Sequence, residues 1–361
     1  MCLRLFIIFQ AGLLRIQKIS APATSMSTAF KIHDDRFLPI IGPSPSLEII
    51  FENEEYPFAH EASVFIPSTN ELFVTSNQIL DQETKERKVL ISRCTLSTGD
   101  LGVSPKCEAL PRPSAGIPMA NGGVNYDDNK SILFCGQGDM AKPSGLYKMR
   151  TTPPYETELL VGDFYGRPFN SLNDVITHSD GSIWFTDPSY GYNQGYRPYP
   201  RLPNQVYRFN PTTRSIRAMA DRLGRPNGLC LSPDENTLYV TDTDWIHSPR
   251  DTDDMRVSSI YAYDIATYNG EPFLVNKRLF AMADKGIPDG IKCDMEGNVY
   301  SGCGDGLNVW NTGGVLLGRI LLRGGVANFC FGRGGEIFLL NENKLWKATL
   351  GGHVRGALLG I

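Results

Sequence analysis

Six oxygen-bearing side chains stand at the head of a recurring pattern in this chain: Glu61, Asn121, Asn173, Asn227, Asp289 and Asn328. Each opens a short apolar run, followed by a turn rich in Asp, Gly or Asn and then a second apolar run. The copies read EASVFIPSTNELFVTS, NGGVNYDDNKSILFCG, NDVITHSDGSIWFTD, NGLCLSPDENTLYVTD, DGIKCDMEGNVYSGC and NFCFGRGGEIFLL. Carboxylate and amide oxygens brought to one point suit hard divalent cations such as calcium, which take about six to eight oxygen ligands, water among them. No histidine cluster or thiolate set competes for a softer metal. An Asn or Asp in front of a strand is, taken singly, explained by an Asx turn. Six in one register, two of them acidic, point instead to one calcium ion on a shared axis.

The elements that must position these residues follow from the same repeat. Successive copies start 60, 52, 54, 62 and 39 residues apart. Each reads as two antiparallel strands around a tight turn; in the third copy 175–176 and 183–185 flank the turn 178–182. A third strand is predicted at 205–209 and 259–263, and a fourth at 216–219 or 279–282. Six units of four strands describe an all-β fold, a six-bladed β-propeller with four-stranded antiparallel blades, in which radial repetition hides the sheet edges. A β-sandwich has no such repeated unit. The segment 47–51 is expected to close the ring by joining the last blade beside 344–348. In this reading 26–361 is a single propeller domain, the first strand of each blade lines a central channel, and the six openers ring its mouth.

Composition narrows the function classes. Among 361 residues, 35 Lys+Arg face 39 Asp+Glu, a net charge of -4, which argues against a nucleic-acid footprint and partner. A hydrophobic share of 41% supports a large core and excludes disorder. Residues 1–25 read as a leader or an upstream extension. The apolar stretch 3–14 and Ala21-Pro22-Ala23 suggest a secretory signal; Gln10, Arg15 and Lys18 oppose it, and Met26 offers an alternative start. No stretch after residue 30 has the length of a membrane span, so no membrane partner is expected. Of eight cysteines, Cys135, Cys230, Cys293, Cys303 and Cys330 lie in or beside apolar runs, as buried free thiols do. Cys94 and Cys107 flank a turn at 97–100 and would pair in an oxidising compartment, but cysteine usage favours reduced thiols and a cytoplasmic setting.

Other chemistries fit less well. There is no G-x-S-x-G elbow, and the five histidines form no triad with a serine. His60, next to Glu61, is expected on the opposite strand face as a structural residue. His247 would line the mouth only if its loop folds inward. Gly302, Gly304 and Gly306 lack the following helix that a dinucleotide site needs. Tyr190, Tyr192, Tyr196 and Tyr199 suggest a partly aromatic lid, and Asp251, Asp253 and Asp254 a solvated acidic patch.

The strings at 60–65 (HEASVF), 172–174 (LND), 225–229 (RPNGL) with 232–234 (SPD), and 287–290 (IPDG) resemble motifs of the senescence marker protein/gluconolactonase family. That family includes regucalcin-like lactonases and luciferin-regenerating enzymes, and the resemblance spans about 45–350. It implies a six-bladed propeller, one divalent cation (usually calcium), and hydrolysis of a small-molecule lactone. By resemblance the metal ligands fall on Glu61, Asn227 and Asp289, with Asn173 at metal or substrate. Two departures matter. Regucalcin-like members carry a substrate-binding arginine where this chain has Ser171, and the long aromatic loop through 203 is closer in character to fungal and bacterial lactonohydrolases. Sugar-acid specificity therefore does not carry over. On this reading the cation polarises the carbonyl, Asp289 is the leading general base with Glu61 second, and Asn173, Asn121 and Asn328 contact substrate. The alternatives are a non-catalytic calcium- or ligand-binding propeller and a strictosidine synthase-like enzyme. The latter would not need the Glu61/Asn227/Asp289 set.

Overall fold

The computed structural model describes residues 26–83, 85–96, 105–111, 116–248 and 251–361; the leader reading and the turn at 97–100 lie outside them. In the third repeat, Val175–Thr177, Ile183–Asp187, Gln205–Phe209 and Ile216–Ala220 pair in chain order as an antiparallel sheet. Val175 stands opposite Phe185, and Ile183 opposite Phe209. The β-branched and aromatic residues of these strands suit a pleated surface buried on both faces. Five other sheets repeat the plan, so the chain is a six-bladed β-propeller of four-stranded antiparallel blades.

Their innermost strands are Glu61–Ile66, Ala120–Tyr126, Val175–Thr177, Pro226–Leu231, Ile291–Cys293 and Phe329–Phe331. We number the blades 1 to 6 by these strands. Ser46–Glu52 pairs with Lys344–Thr349, Leu47 opposite Ala348, and closes blade 6 as expected. One added blade strand escaped sequence reading: Phe30–Ile32 pairs with Leu316–Leu321 as a fifth strand of blade 5. It has three residues and a single buried one, Phe30, too little to show a period.

The core lies between blades. One cluster joins Leu133 and Leu146 of blade 2 to Val175, Ile183 and Phe185 of blade 3, with Phe185 stacked on Tyr207 at 5.7 Å. Each such side chain contributes about 2–3 kcal/mol on burial. Cys94 and Cys107 are direct cross-strand partners in blade 1 and form a disulfide, unlike the all-reduced state favoured from sequence. The other described cysteines are buried free thiols. Among the described residues no helix is long and apolar enough to cross a membrane.

A second repeated device locks the start of three inner strands. The Thr186 hydroxyl, in the second strand of blade 3, donates to the Asn227 carbonyl at 2.7 Å. Thr241 does the same to Asp289 at 3.1 Å, and Thr75 to Asn121 at 3.2 Å. The following aspartates, Asp187 and Asp242, each accept two backbone N–H bonds from the segment leading into the inner strand of their own blade. Gly228 and Gly290 follow two openers because a Cβ there would lie 2.6 Å from the Asp289 carbonyl oxygen and 2.5 Å from the Asn328 side chain.

Candidate metal and active site at the channel mouth

Five of the six openers, Glu61, Asn121, Asn173, Asn227 and Asp289, line one cavity of about 700 Å³ at the channel mouth. Glu61, Asn173 and Asn227 are 4%, 4% and 5% exposed, so their polar atoms are withdrawn from bulk water and need other partners. Several have none within the protein: Asn121 Oδ1, Asn173 Oδ1 and Asp289 Oδ1 are buried acceptors without a donor. Unfilled acceptors beside two carboxylates form an excess of oxygen lone pairs that a hard cation satisfies. Burial pushes the Asp289 carboxyl well above the usual carboxylate range, and the neighbouring Glu61 charge adds to the rise. Burial likewise raises Glu61, offset by His60 and by its bond from Asn328. Two carboxylates held close in a dry site repel each other until a positive charge joins them. Among the described residues no three His, Cys, Asp or Glu side chains gather as a metal cluster; the set here is two carboxylates completed by amides, and its chemistry fits calcium.

Asn328 does not line this cavity. Its Nδ2 donates to Glu61 Oε2 at 2.7 Å and its Oδ1 accepts from the Phe329 N–H at 2.8 Å. Its amide thus turns to Glu61 and the backbone, and it orients Glu61 rather than lining the cavity with the other five openers. His60 differs from expectation in the opposite sense. It does line the cavity, because it precedes the strand that begins at Glu61 and because Ala62, at φ 65°, breaks the pleat next door. Its Nδ1 lies 2.8 Å from Glu342 Oε1 in blade 6, and Asn77 Nδ2 donates to the other Glu342 oxygen. Burial alone would lower this imidazole, but the Glu342 carboxylate overrides it and holds the pKa up to about 9.

The walls are one-sided. Between their second and third main strands, blades 1 to 4 carry the long segments 76–90, 137–144, 188–204 and 243–258, whereas blades 5 and 6 turn in two residues, 304–305 and 342–343. From the long segments come Gln78, Arg87, Gln137, Tyr190, Asn193 and Gln194, and His247, whose loop does fold inward. Gln78 donates to Gln194 and so bridges blades 1 and 3 across the mouth, and Arg87 donates to Gln78 at 2.7 Å. Tyr196 hydrogen-bonds Gln137, tying blade 3 to blade 2.

Sequence reasoning also missed Asp174, buried just below Asn173 and accepting from the Val175 and Leu229 N–H groups. Its only signal was its place in the LND string. Below it the channel opens into a second cavity of about 260 Å³, lined by Cys230, Cys293 and Cys330 among others and met by residues 356–359 near the C-terminus.

Residues 117–338 match the SMP-30/Gluconolactonase/LRE-like region. The lactonohydrolase oryL of Aspergillus oryzae is 31% identical over 332 residues, covering 88% of this chain and 71% of that protein. The gluconolactonase of Zymomonas mobilis is 30% identical, covering 68% of each. A solved gluconolactonase from Xanthomonas campestris superposes with a TM-score of 0.70 at 27% identity, covering 89% of this chain and 95% of that one.

Proposed function

The chain belongs to the SMP-30/gluconolactonase/LRE-like family, and from that membership we propose that it is a calcium-dependent lactonase, opening a lactone ring to its hydroxy acid. The observation that carries the metal-assisted part is the set of unfilled buried acceptors, Asn121 Oδ1, Asn173 Oδ1 and Asp289 Oδ1, around two carboxylates. Glu61, Asn227 and Asp289 would hold the cation, with Asn173 at the metal or the substrate. A bound cation supplies Lewis-acid polarisation of the lactone carbonyl.

The chain's own groups supply the rest. Asp289 Oδ1, free of any protein donor, takes a proton from water as the water oxygen bonds to the carbonyl carbon. The tetrahedral oxyanion collapses, the ring C–O bond breaks, and the departing alkoxide takes back from Asp289 Oδ1 the proton that came from water, which gives the hydroxy acid and restores the base. Glu61 is the weaker candidate for base because Asn328 already occupies one of its oxygens. Asn173 and Asn121 offer carbonyl oxygens to substrate hydroxyls, and the amide-rich wall of Asn77, Gln78, Gln137 and Gln194 suits a hydroxyl-bearing lactone.

The test is hydrolysis of a small panel (gluconolactone, pantoyl lactone, an aromatic lactone) with calcium and with chelator. Wild type is expected to turn over at least one lactone only with calcium, and Asp289→Ala none. Calcium binding without turnover of any lactone would favour a binding propeller instead.

A further inference from the structure

Among the described residues Arg87 is the one lysine or arginine that lines the mouth cavity. It stands in the long segment of blade 1, on the hairpin strand Arg87–Lys88, opposite Leu80 of Ile79–Leu80. We propose that Arg87, together with the side-chain amide of Gln194, binds a carboxylate on the substrate, so that the preferred substrates are lactones carrying an acidic group. This substrate class rests on the lactonase reading above.

A count of the charges at the mouth leads to it. Glu61 and Asp289 are matched by the divalent cation of that reading. His60 faces Glu342 at 2.8 Å, and His247 lies 3.4 Å from Asp244 and 3.8 Å from Asp251. Lys88, the neighbour of Arg87, is paired with Asp81 at 3.2 Å. Arg87 has no carboxylate partner among the described residues, and its one hydrogen bond goes to a neutral group, Gln78 Oε1, at 2.7 Å. A guanidinium stays charged and has the shape to grip a carboxylate. It is the charge that the mouth itself does not answer.

Arg87 also fixes the amides beside it. A guanidinium donates and cannot accept, so Gln78 presents its oxygen to Arg87 and its nitrogen to Gln194, whose Oε1 accepts. Gln194 is left with its own Nε2, which has no partner among the described residues, on a side chain that lines the cavity. The Gln194 N–H, bonded to the Tyr190 carbonyl at 2.8 Å, anchors the residue at the end of the short helix Tyr190–Asn193. Donors from blades 1 and 3 therefore stand apart from the unfilled acceptors Asn121 Oδ1, Asn173 Oδ1 and Asp289 Oδ1. One positive charge and an amide N–H suit the single charge and two oxygens of a carboxylate. A phosphate monoester, with a charge of about -1.5 to -2, would stay under-neutralised.

The test compares D-glucaro-1,4-lactone with D-glucono-1,4-lactone, which share a ring and differ in a terminal carboxylate against a hydroxymethyl group. In the calcium-loaded wild type kcat/KM should favour the acid by about tenfold or more, the worth of one charge-assisted hydrogen bond. The ratio should shrink as salt screens the pair. Arg87→Gln should bring it to about one. Gln194→Glu keeps an acceptor for Gln78 but sets a carboxylate where a donor stood, and should push the ratio below about one. Calorimetric titration of tetrahydrofuran-2-carboxylate, a ring acid that cannot open, should show about tenfold weaker binding in Arg87→Gln than in wild type. A wild-type ratio near one, or a ratio and an affinity that survive Arg87→Gln, would overturn the acid site and leave the lactonase reading intact. Turnover of no lactone by the wild type would overturn the lactonase reading and the substrate class with it.

Discussion

The two ends of the central channel are built from the same six inner strands and differ in almost every chemical respect. The mouth presents carboxylate and amide oxygens with unfilled lone pairs. The far end, two to four residues along the same strands, presents Cys330, Cys230 and Cys293. There Cys230 and Cys293 sulfurs lie 3.6 Å apart; their mutual hydrogen bond and burial raise the Cys293 thiol, and burial pushes Cys330 up to about 11. Such protonated, buried thiols are poor nucleophiles. Identical backbone geometry therefore does not make a site. The mouth gathers three unfilled acceptors beside two carboxylates, whereas the far end gathers buried thiols.

That contrast can be broken or sharpened by substitution. The largest effect belongs to the mouth: Glu61→Gln removes one of the two carboxylates at little change of shape, and calcium-dependent turnover should fall on the order of 10³-fold in steady-state assays. A fall smaller than tenfold would mean that the carboxylates do not act together.

A smaller effect is expected at the mouth's His60–Glu342 pair. The folded pKa of His60, about 9 against an ordinary 6.5, is raised, so its contribution to stability is complete below about pH 6.5 and fades as pH climbs through about 9. Glu342→Gln should cost about 1 kcal/mol near pH 6, since solvent screens a pair this exposed, and should flatten the decline between pH 6.5 and 9. Urea melts at several pH values read this directly; an unaltered slope would remove the pair from the account. Least of all should follow from Cys230→Ala at the far end: turnover within twofold and a stability loss of about 1 kcal/mol. A tenfold loss of kcat there would show that the two ends are coupled.

Much of this architecture was legible because the repeat states it several times over. The openers and the strand pairs follow a period that one chain displays without help, and the closing strand at Ser46–Glu52 follows from the need of a ring to share its last blade between the chain ends. The parts that escaped are those that depend on single, non-repeated contacts. His60 was placed on the wrong face because alternation holds only inside a regular strand, and Ala62 at φ 65° interrupts it. Asn328 shares its register with the other openers, yet its amide turns to Glu61 and Phe329, a pairing between blades 6 and 1 that no local pattern encodes. Tyr190 lies in a loop whose path depends on Ser171 and Arg197, and sequence showed only that the loop was aromatic.

The central claim is that the mouth oxygens form a cation site, and calorimetric titration of calcium into the chelator-treated protein tests it most directly. The account predicts saturable binding of one ion per chain, abolished in Glu61→Gln. No binding heat in the wild type, or binding that survives unchanged in Glu61→Gln, would contradict it.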